Sequence, residues 1–175
     1  GTWWLSETPD EPGSVSWDAS HPRMVTWTRL RGPGERVCYH FNTHFSHRSE
    51  NARVESARIL RRVVDEIAGG DPALVTGDLN CVEGSEPYAV LIDDDEPGRA
   101  LYDAHRAAGG AHYGPRVTFN RFEGEADRKI DYVFGTEAVT VHQHGVVPDC
   151  WNGTIASDHA PVMADVSIDT DAVDD

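Results

Sequence analysis

Four short runs in this chain carry side chains suited to proton transfer, cation binding or grip on an oxyanion. They are Asn42-Thr43-His44, Gly77-Asp78-Leu79-Asn80, Lys129-Ile130-Asp131 and Ser157-Asp158-His159. Asp78 and Asn80 lie two apart, and in extended backbone that spacing sends both side chains to one side. A carboxylate beside a carboxamide can hold a hard cation, or orient a water and a phosphate oxygen. His159 can act as base or acid near neutrality. Asp131 stands in a strand of large apolar residues, where a carboxylate is costly to bury without a partner. An imidazole suits it, because an Asp that accepts from one ring nitrogen fixes the tautomer and steadies the imidazolium. Asn42 and His44 also share a side, and both can bond phosphate oxygens.

Each run has a plainer reading. Gly, Asp and Asn are common turn formers, Asp158 can be a cap beside a surface His, and Asp131 can bond backbone at a strand edge. His44 and His47 have a spacing compatible with zinc, but no third ligand completes a recognised zinc arrangement. His142 and His144 alternate in a strand and are read as facing solvent.

The elements that must position these residues follow from pattern. Residues 6–23, rich in Pro, Gly, Ser and Asp, read as an irregular loop. Strands at about Met24–Leu30 and Val37–Thr43, joined by a turn at Arg31–Gly34, resemble a hairpin. Ser49 caps a helix with Ala57, Leu60, Val64 and Ile67 on one face, and Gly69-Gly70 ends it. Arg48, Arg53 and Arg58 read as its solvated flank. Ala73–Thr76 is a short buried strand, followed by an irregular stretch and a short helix at Leu101–Ala108. Strands are expected at Thr118–Asn120, Ile130–Phe134, Ala138–Val146 and Val162–Ile168, with Ile130, Tyr132 and Phe134 alternating with Asp131 and Val133. Strands mixed with helices, without strict alternation, indicate an α/β sandwich of mixed sheets.

The 175 residues fit one domain. No apolar run approaches a membrane span, and no signal peptide is visible. Net charge is −15, with fourteen Arg and one Lys, Lys129. The acids are scattered, clustering only at Asp93–Glu96 and in the tail. This favours a halophilic surface over an acidic face for a cationic partner. The acidity mildly disfavours a polyanionic substrate. Cys38, Cys81 and Cys150 are isolated, which argues for reduced thiols and a cytoplasmic location. Residues 169–175 read as an acidic, disordered tail.

Taken in order, N-T-H, G-D-L-N, I-D-Y-V-F and S-D-H-A-P-V resemble the endonuclease/exonuclease/phosphatase superfamily, over residues 3 to 168. The Trp4-Leu5-Ser6-Glu7-Thr8-Pro9 opening, Trp17-Asp18, Arg23 and Thr118-Phe119-Asn120 are similar to a bacterial and archaeal branch near the nocturnin and deadenylase-like members. The resemblance implies a four-layer α/β sandwich with mixed, largely antiparallel sheets. It also implies divalent-metal-dependent hydrolysis of phosphodiester or phosphomonoester bonds by an activated water. In that scheme Asp78 and Asn80 orient the water and contact the scissile phosphate. Asp131 orients His159, the general base or phosphate-contacting His. Asp158, with Asp78 and Asn80, holds Mg²⁺ or Mn²⁺. Asn42 and His44 contact the phosphate or leaving group, and Arg23 contacts phosphate at the entrance. The substrate is a nucleic acid, a nucleotide or another phosphoester. Trp3, Trp4, Trp17 and Trp27 are candidates to stack on a base, with core packing expected for at least two.

Family members begin with strands carrying an Asn and a metal-binding Glu. This chain enters the pattern afterwards, so residues 1–168 correspond to the C-terminal two-thirds of the domain. Glu7 lies downstream of the expected metal ligand and does not replace it. The isolated chain is therefore expected to be inactive or poorly folded, with several strands of one sheet lacking. The alternative reading is a catalytically incomplete or non-catalytic interaction module of the same fold.

Overall fold

A computed structural model of the chain describes residues 1–122, 127–148 and 152–168. Its strands are β1 (Thr2–Trp4), β2 (Met24–Arg31), β3 (Val37–His44), β4 (Ala73–Asp78), β5 (Tyr102–Asp103), β6 (His112–Tyr113), β7 (Asp131–Gly135), β8 (Val139–Val146) and β9 (Val162–Ile168). Its α-helices are α1 (Glu50–Ala68), α2 (Glu86–Ile92) and α3 (Ala104–Ala107). Six strands form one sheet in the order β1-β2-β3-β4-β7-β5, and β6-β8-β9 form a second. Only β3–β4 and β6–β8 pair in parallel, so the sheets are mixed and largely antiparallel, as the sequence implied.

Alternation along β3, β4 and β7 gives the large sheet two different faces. Trp27, Phe41, Val75 and Phe134 stand in register across β2, β3, β4 and β7. They belong to the core that Ala57, Leu60, Val63 and Val64 of α1 complete, together with Tyr88 and Leu91 of α2. Three residues along, the register runs His44–Asp78–Asp131 at the opposite face. The polar face therefore exists because the apolar face is pinned under α1.

Helix α1 begins where Ser49 Oγ accepts from the Ala52 N–H at 3.1 Å. It ends at Gly69, φ 54°, whose N–H donates to the Asp65 carbonyl. Arg61, read by no sequence pattern, is fully buried on α1. Its guanidinium donates to the carbonyls of Val90, Leu91, Asp93, Glu96 and Gly98, which shapes the loop after α2. Arg99 likewise donates to the Gly69, Gly70 and Asp71 carbonyls and pairs with Glu137.

Several elements differ from the sequence reading. The stretch read as a helix over Leu101–Ala108 is a strand followed by one helical turn. Tyr102 and Asp103 pair with Gly135 and Phe134, and the Asp103 carboxylate then accepts from the His105 N–H. Capping at 103 prevents any earlier helical start. Helix α2 lies in the stretch read as irregular, and Ser85-Glu86-Pro87 is its start signal. Thr118–Asn120 forms isolated bridges from Phe119 to Arg128 and His159 rather than a strand. His144 is only 3% exposed, not solvent-facing, because its ring packs against His105 and His112. His142 is exposed, as expected.

Trp3, Trp17 and Trp27 pack against the core. Cys38 and Cys81 are buried free thiols, and burial pushes the Cys81 thiol up to about 11. Cys150 and the 169–175 tail lie outside the described residues. Among those described, no helix is long and apolar enough to cross a membrane.

Candidate active site

The C-terminal ends of β3 and β4 and the start of β7 meet at one end of the sheet's central strands. There the His44–Asp78–Asp131 row aligns the first three site residues. Gly77 allows the strands to close up, since a Cβ on it would lie 2.0 Å from the Thr43 carbonyl oxygen. His44 Nε2 is 3.2 Å from Asp78 Oδ2. One row back, Asn42 Nδ2 donates to Thr76 Oγ1 at 2.8 Å and to the Thr76 carbonyl at 3.2 Å.

Asn80 reaches Asp78 by a turn, not through extended backbone. The strand ends at Asp78, and Asn80 has φ 48°. Its N–H donates to Asp78 Oδ1 at 2.8 Å, and its Nδ2 donates to Asp78 Oδ2 at 3.3 Å and to the Phe45 carbonyl at 3.2 Å. The turn chemistry of Gly, Asp and Asn is thus the means by which the two side chains meet.

His159 is delivered by a distant segment. The Asn120 and Arg121 N–H groups donate to the Asp158 carbonyl, and the Ala160 N–H donates to the Thr118 carbonyl. Thr118 is fully buried, and its Oγ1 accepts from the Ile130 and Asp131 N–H groups. One peptide therefore holds the Asp131 and His159 segments together. His159 Nδ1 lies 2.7 Å from Asp131 Oδ2, and Nε2 lies 4.0 Å from Asp78 Oδ2. Phe119 packs on the imidazole, with centroids 4.9 Å apart. Sequence reading missed Thr118 and Phe119 as supports, although both fall in a run it singled out. Thr76, which bonds both Asn42 and His40, carried no sequence signal.

Burial lifts the Asp131 carboxyl above its ordinary value, and the Asp78 charge adds to this. Hydrogen bonds from Thr118 and His159 oppose it. Burial pulls His159 down. The Asp131 bond and the charges of Asp131, Asp78 and Asp158 outweigh it, so the imidazole ends above its ordinary value. The pair favours a proton on the imidazole.

Asp78, Asp131 and His159 each offer a ligand atom within 4.8 Å of the others. Asp158 is not in that group. Its carboxylate makes no hydrogen bond among the described residues and acts on His159 through charge. Arg23 Nη2 donates to His47 Nδ1 at 3.2 Å, and the Asp78 charge acts on its guanidinium. His47 also stacks on His21. His44 and His47 therefore turn to different partners, and no zinc-competent group among the described residues contains both. The cleft, of about 370 Å³, is lined by Asp78, Asp131, Ser157 and His159.

A second acid–histidine group, Glu83, Asp103 and His105, also has ligand atoms within 4.8 Å of one another. Lys129 Nζ donates to Glu83 at 2.9 Å and to Asp103 at 2.8 Å, and Arg106 Nη2 lies 3.5 Å from Glu83, so protein cations already neutralise it.

The sequence matches the profile of the Endonuclease/Exonuclease/phosphatase family over residues 4–159. An endonuclease/exonuclease/phosphatase from Bacteroides vulgatus is 33% identical with a TM-score of 0.88, the match covering 97% of this chain and 64% of that one. The mannosyl-6-phosphatase Bt3783 of Bacteroides thetaiotaomicron is 30% identical with a TM-score of 0.88, covering 96% of this chain and 65% of that one. The human Nocturnin catalytic domain shares the fold at 20% identity and a TM-score of 0.65, covering 83% of this chain and 53% of that one. The chain thus spans just under two thirds of the length of the first two relatives. No curated protein matches the sequence.

Proposed function

Because the chain belongs to the endonuclease/exonuclease/phosphatase family, we propose that it carries the water-activating part of a divalent-metal-dependent phosphoester hydrolase. The observation that supports this most is the 2.7 Å contact of His159 Nδ1 with Asp131, with Nε2 facing Asp78. The Asp131 carboxylate accepts from Nδ1–H, which leaves the Nε2 lone pair directed into the cleft. Its 4.0 Å separation from Asp78 is too long for a direct bond, so a water beside both is oriented by Asp78 and loses its proton to Nε2. Asp131 then steadies the imidazolium.

Asp78, with the Asn80 carboxamide turned onto it, supplies hard oxygen donors that fit Mg²⁺ or Mn²⁺. Such an ion, when bound, supplies Lewis-acid polarisation of the phosphoryl oxygen. Asp158 adds negative charge beside His159, and its part in holding the ion rests on sequence position. His44 and Asn42, on the neighbouring strand, contact the phosphate or leaving group, and Arg23 attracts the anion at the rim. A net charge of −15 favours a small phosphoester over a long polyanion. The domain occupies residues 1–168.

The test is Mg²⁺-dependent release of phosphate from phosphomonoesters, and cleavage of phosphodiesters, by Asp78→Ala and His159→Ala. Each variant should lose at least ~10²–10⁴-fold in turnover. Near-normal turnover in either overturns the assignment.

A further inference from the structure

A second cavity, of about 310 Å³, is lined in part by Asn80, whose carboxamide bonds Asp78 of the catalytic cleft. Its wall includes His47, Glu50, Arg53, Asn80, Ser85 and Arg128. In a chain with twice as many acids as Lys and Arg, two guanidiniums facing one hollow need an explanation.

Arg53 is not the solvated helix residue that its sequence position implied, but half-buried on the first turns of α1. Among the described residues its guanidinium has one hydrogen bond, from Nη1 to the Ser46 carbonyl at 2.9 Å, and no carboxylate within 4.0 Å. That bond fixes the guanidinium plane, Nη2 has no acceptor, and Nε is sealed from solvent with no partner. Nε is thus out of a ligand's reach, and Nη2 is the donor left open. Arg128 is paired with Asp127 through Nε and Nη2. Arg121 shares the same carboxylate, so the trio carries one surplus positive charge. Phe119, the residue packed on His159, lies under both guanidiniums, at 5.7 Å from Arg121 and 5.5 Å from Arg128. The cationic rim is thereby tied to the catalytic histidine. Among the described residues Glu50 is the only acid in this wall, and it is exposed.

We infer that this cavity is a subsite for a second anionic group, so that the preferred substrate is a small phosphoester bearing a further phosphate or comparable anion. The inference rests on the proposed hydrolytic reading for which phosphate is scissile, but the subsite itself binds without turnover. A guanidinium with an open Nη2 suits a phosphate or carboxylate. Asn80, shared between the hollow and the Asp78 turn, places the two anions on either side of one residue.

Binding should be measured by calorimetry without divalent metal, so that catalysis plays no part. One arm compares fructose 1,6-bisphosphate with fructose 6-phosphate, and the other compares adenosine 3′,5′-bisphosphate with adenosine 5′-monophosphate. At least one bisphosphate should bind ten-fold or more tightly than its monophosphate. Arg53→Gln and Arg128→Gln should each remove most of that advantage, and Arg53→Lys should leave an intermediate value. Arg128 is an exposed residue, so its variant keeps the test decisive if Arg53→Gln does not fold. Equal binding of both members of each pair, or an advantage that survives the folded variants, overturns the subsite. Absent turnover with the binding advantage intact would instead count against the hydrolytic reading alone.

Discussion

Two acid–histidine groups flank the start of β7, and they use the same residue types to opposite ends. At Asp78, Asp131 and His159 the side chains are half-buried along an open cleft, and among the described residues no Lys or Arg pairs with them. At Glu83, Asp103 and His105, Lys129 fills the centre and Tyr88 donates to Asp103 at 3.0 Å. Lys129 is 8% exposed and Asp103 is 3% exposed. The first group leaves its charge for a ligand, and the second spends its charge on the fold. Proximity of carboxylates to an imidazole does not by itself make an active site; an unfilled centre on a cleft is what distinguishes one.

The largest stability effect should come from breaking the closed group. Lys129→Met leaves the buried Asp103 without a cation, while Glu83 keeps Arg106 at 3.5 Å, and should cost about 3–5 kcal/mol in urea unfolding. Asp78→Asn in the open group should change stability little, or raise it by relieving repulsion with Asp131. Equal losses in the two variants would erase the distinction.

Proton titration should separate the regions by sign. His144, packed between His105 and His112 beside the closed group, is pushed down to about 4, chiefly by burial and then by Lys129. Its folded state prefers the neutral ring. The stability it contributes is therefore present above the unfolded value of roughly 6.5, and is lost as pH falls towards about 4, by up to about 3 kcal/mol. His159 is raised, so its contribution is present below the ordinary histidine value and is lost as pH rises through the folded one. Imidazole titration by NMR, with urea unfolding at matched pH, reads both. A His144 resonance titrating above 6 would contradict its placement.

Metal should act on the open group only. Mg²⁺ at about a hundred times its dissociation constant should stabilise the protein by roughly 2–3 kcal/mol, and a chelator should reverse this. Asp78→Asn should abolish the gain in melting temperature, whereas Glu83→Gln should retain it. Loss in Glu83→Gln would place the ion at the other group. The smallest effect is that of salt: molar KCl should raise the melting temperature of a chain at −15 by screening repulsion.

Much of the open group was legible in the sequence, because its members sit at strand ends whose apolar alternation is strong. Ile130, Tyr132 and Phe134 announced their strand, and with it the side on which Asp131 stands. Ser49, Gly69 and the α1 spacing were equally plain. The closed group was not legible. Glu83, Asp103 with His105, and Lys129 come from three separate segments, and their pairing depends on loops shaped by Arg61 and Arg99 through carbonyls that no side-chain pattern records. The short β5 was hidden for the same reason, since Tyr102-Asp103 is a strand only because β7 offers an edge. His144 was misread because alternation in β8 says nothing about rings arriving from β6 and α3.

The account stands or falls on Asp131 acting through His159, which a double-mutant cycle on phosphoester hydrolysis tests most directly. Asp131→Asn and His159→Ala should each reduce turnover by at least ~10²-fold. The double variant should be no slower than His159→Ala alone, because Asp131 has no imidazole left to orient. Losses that multiply in the double variant would show two independent roles and contradict the proposed base.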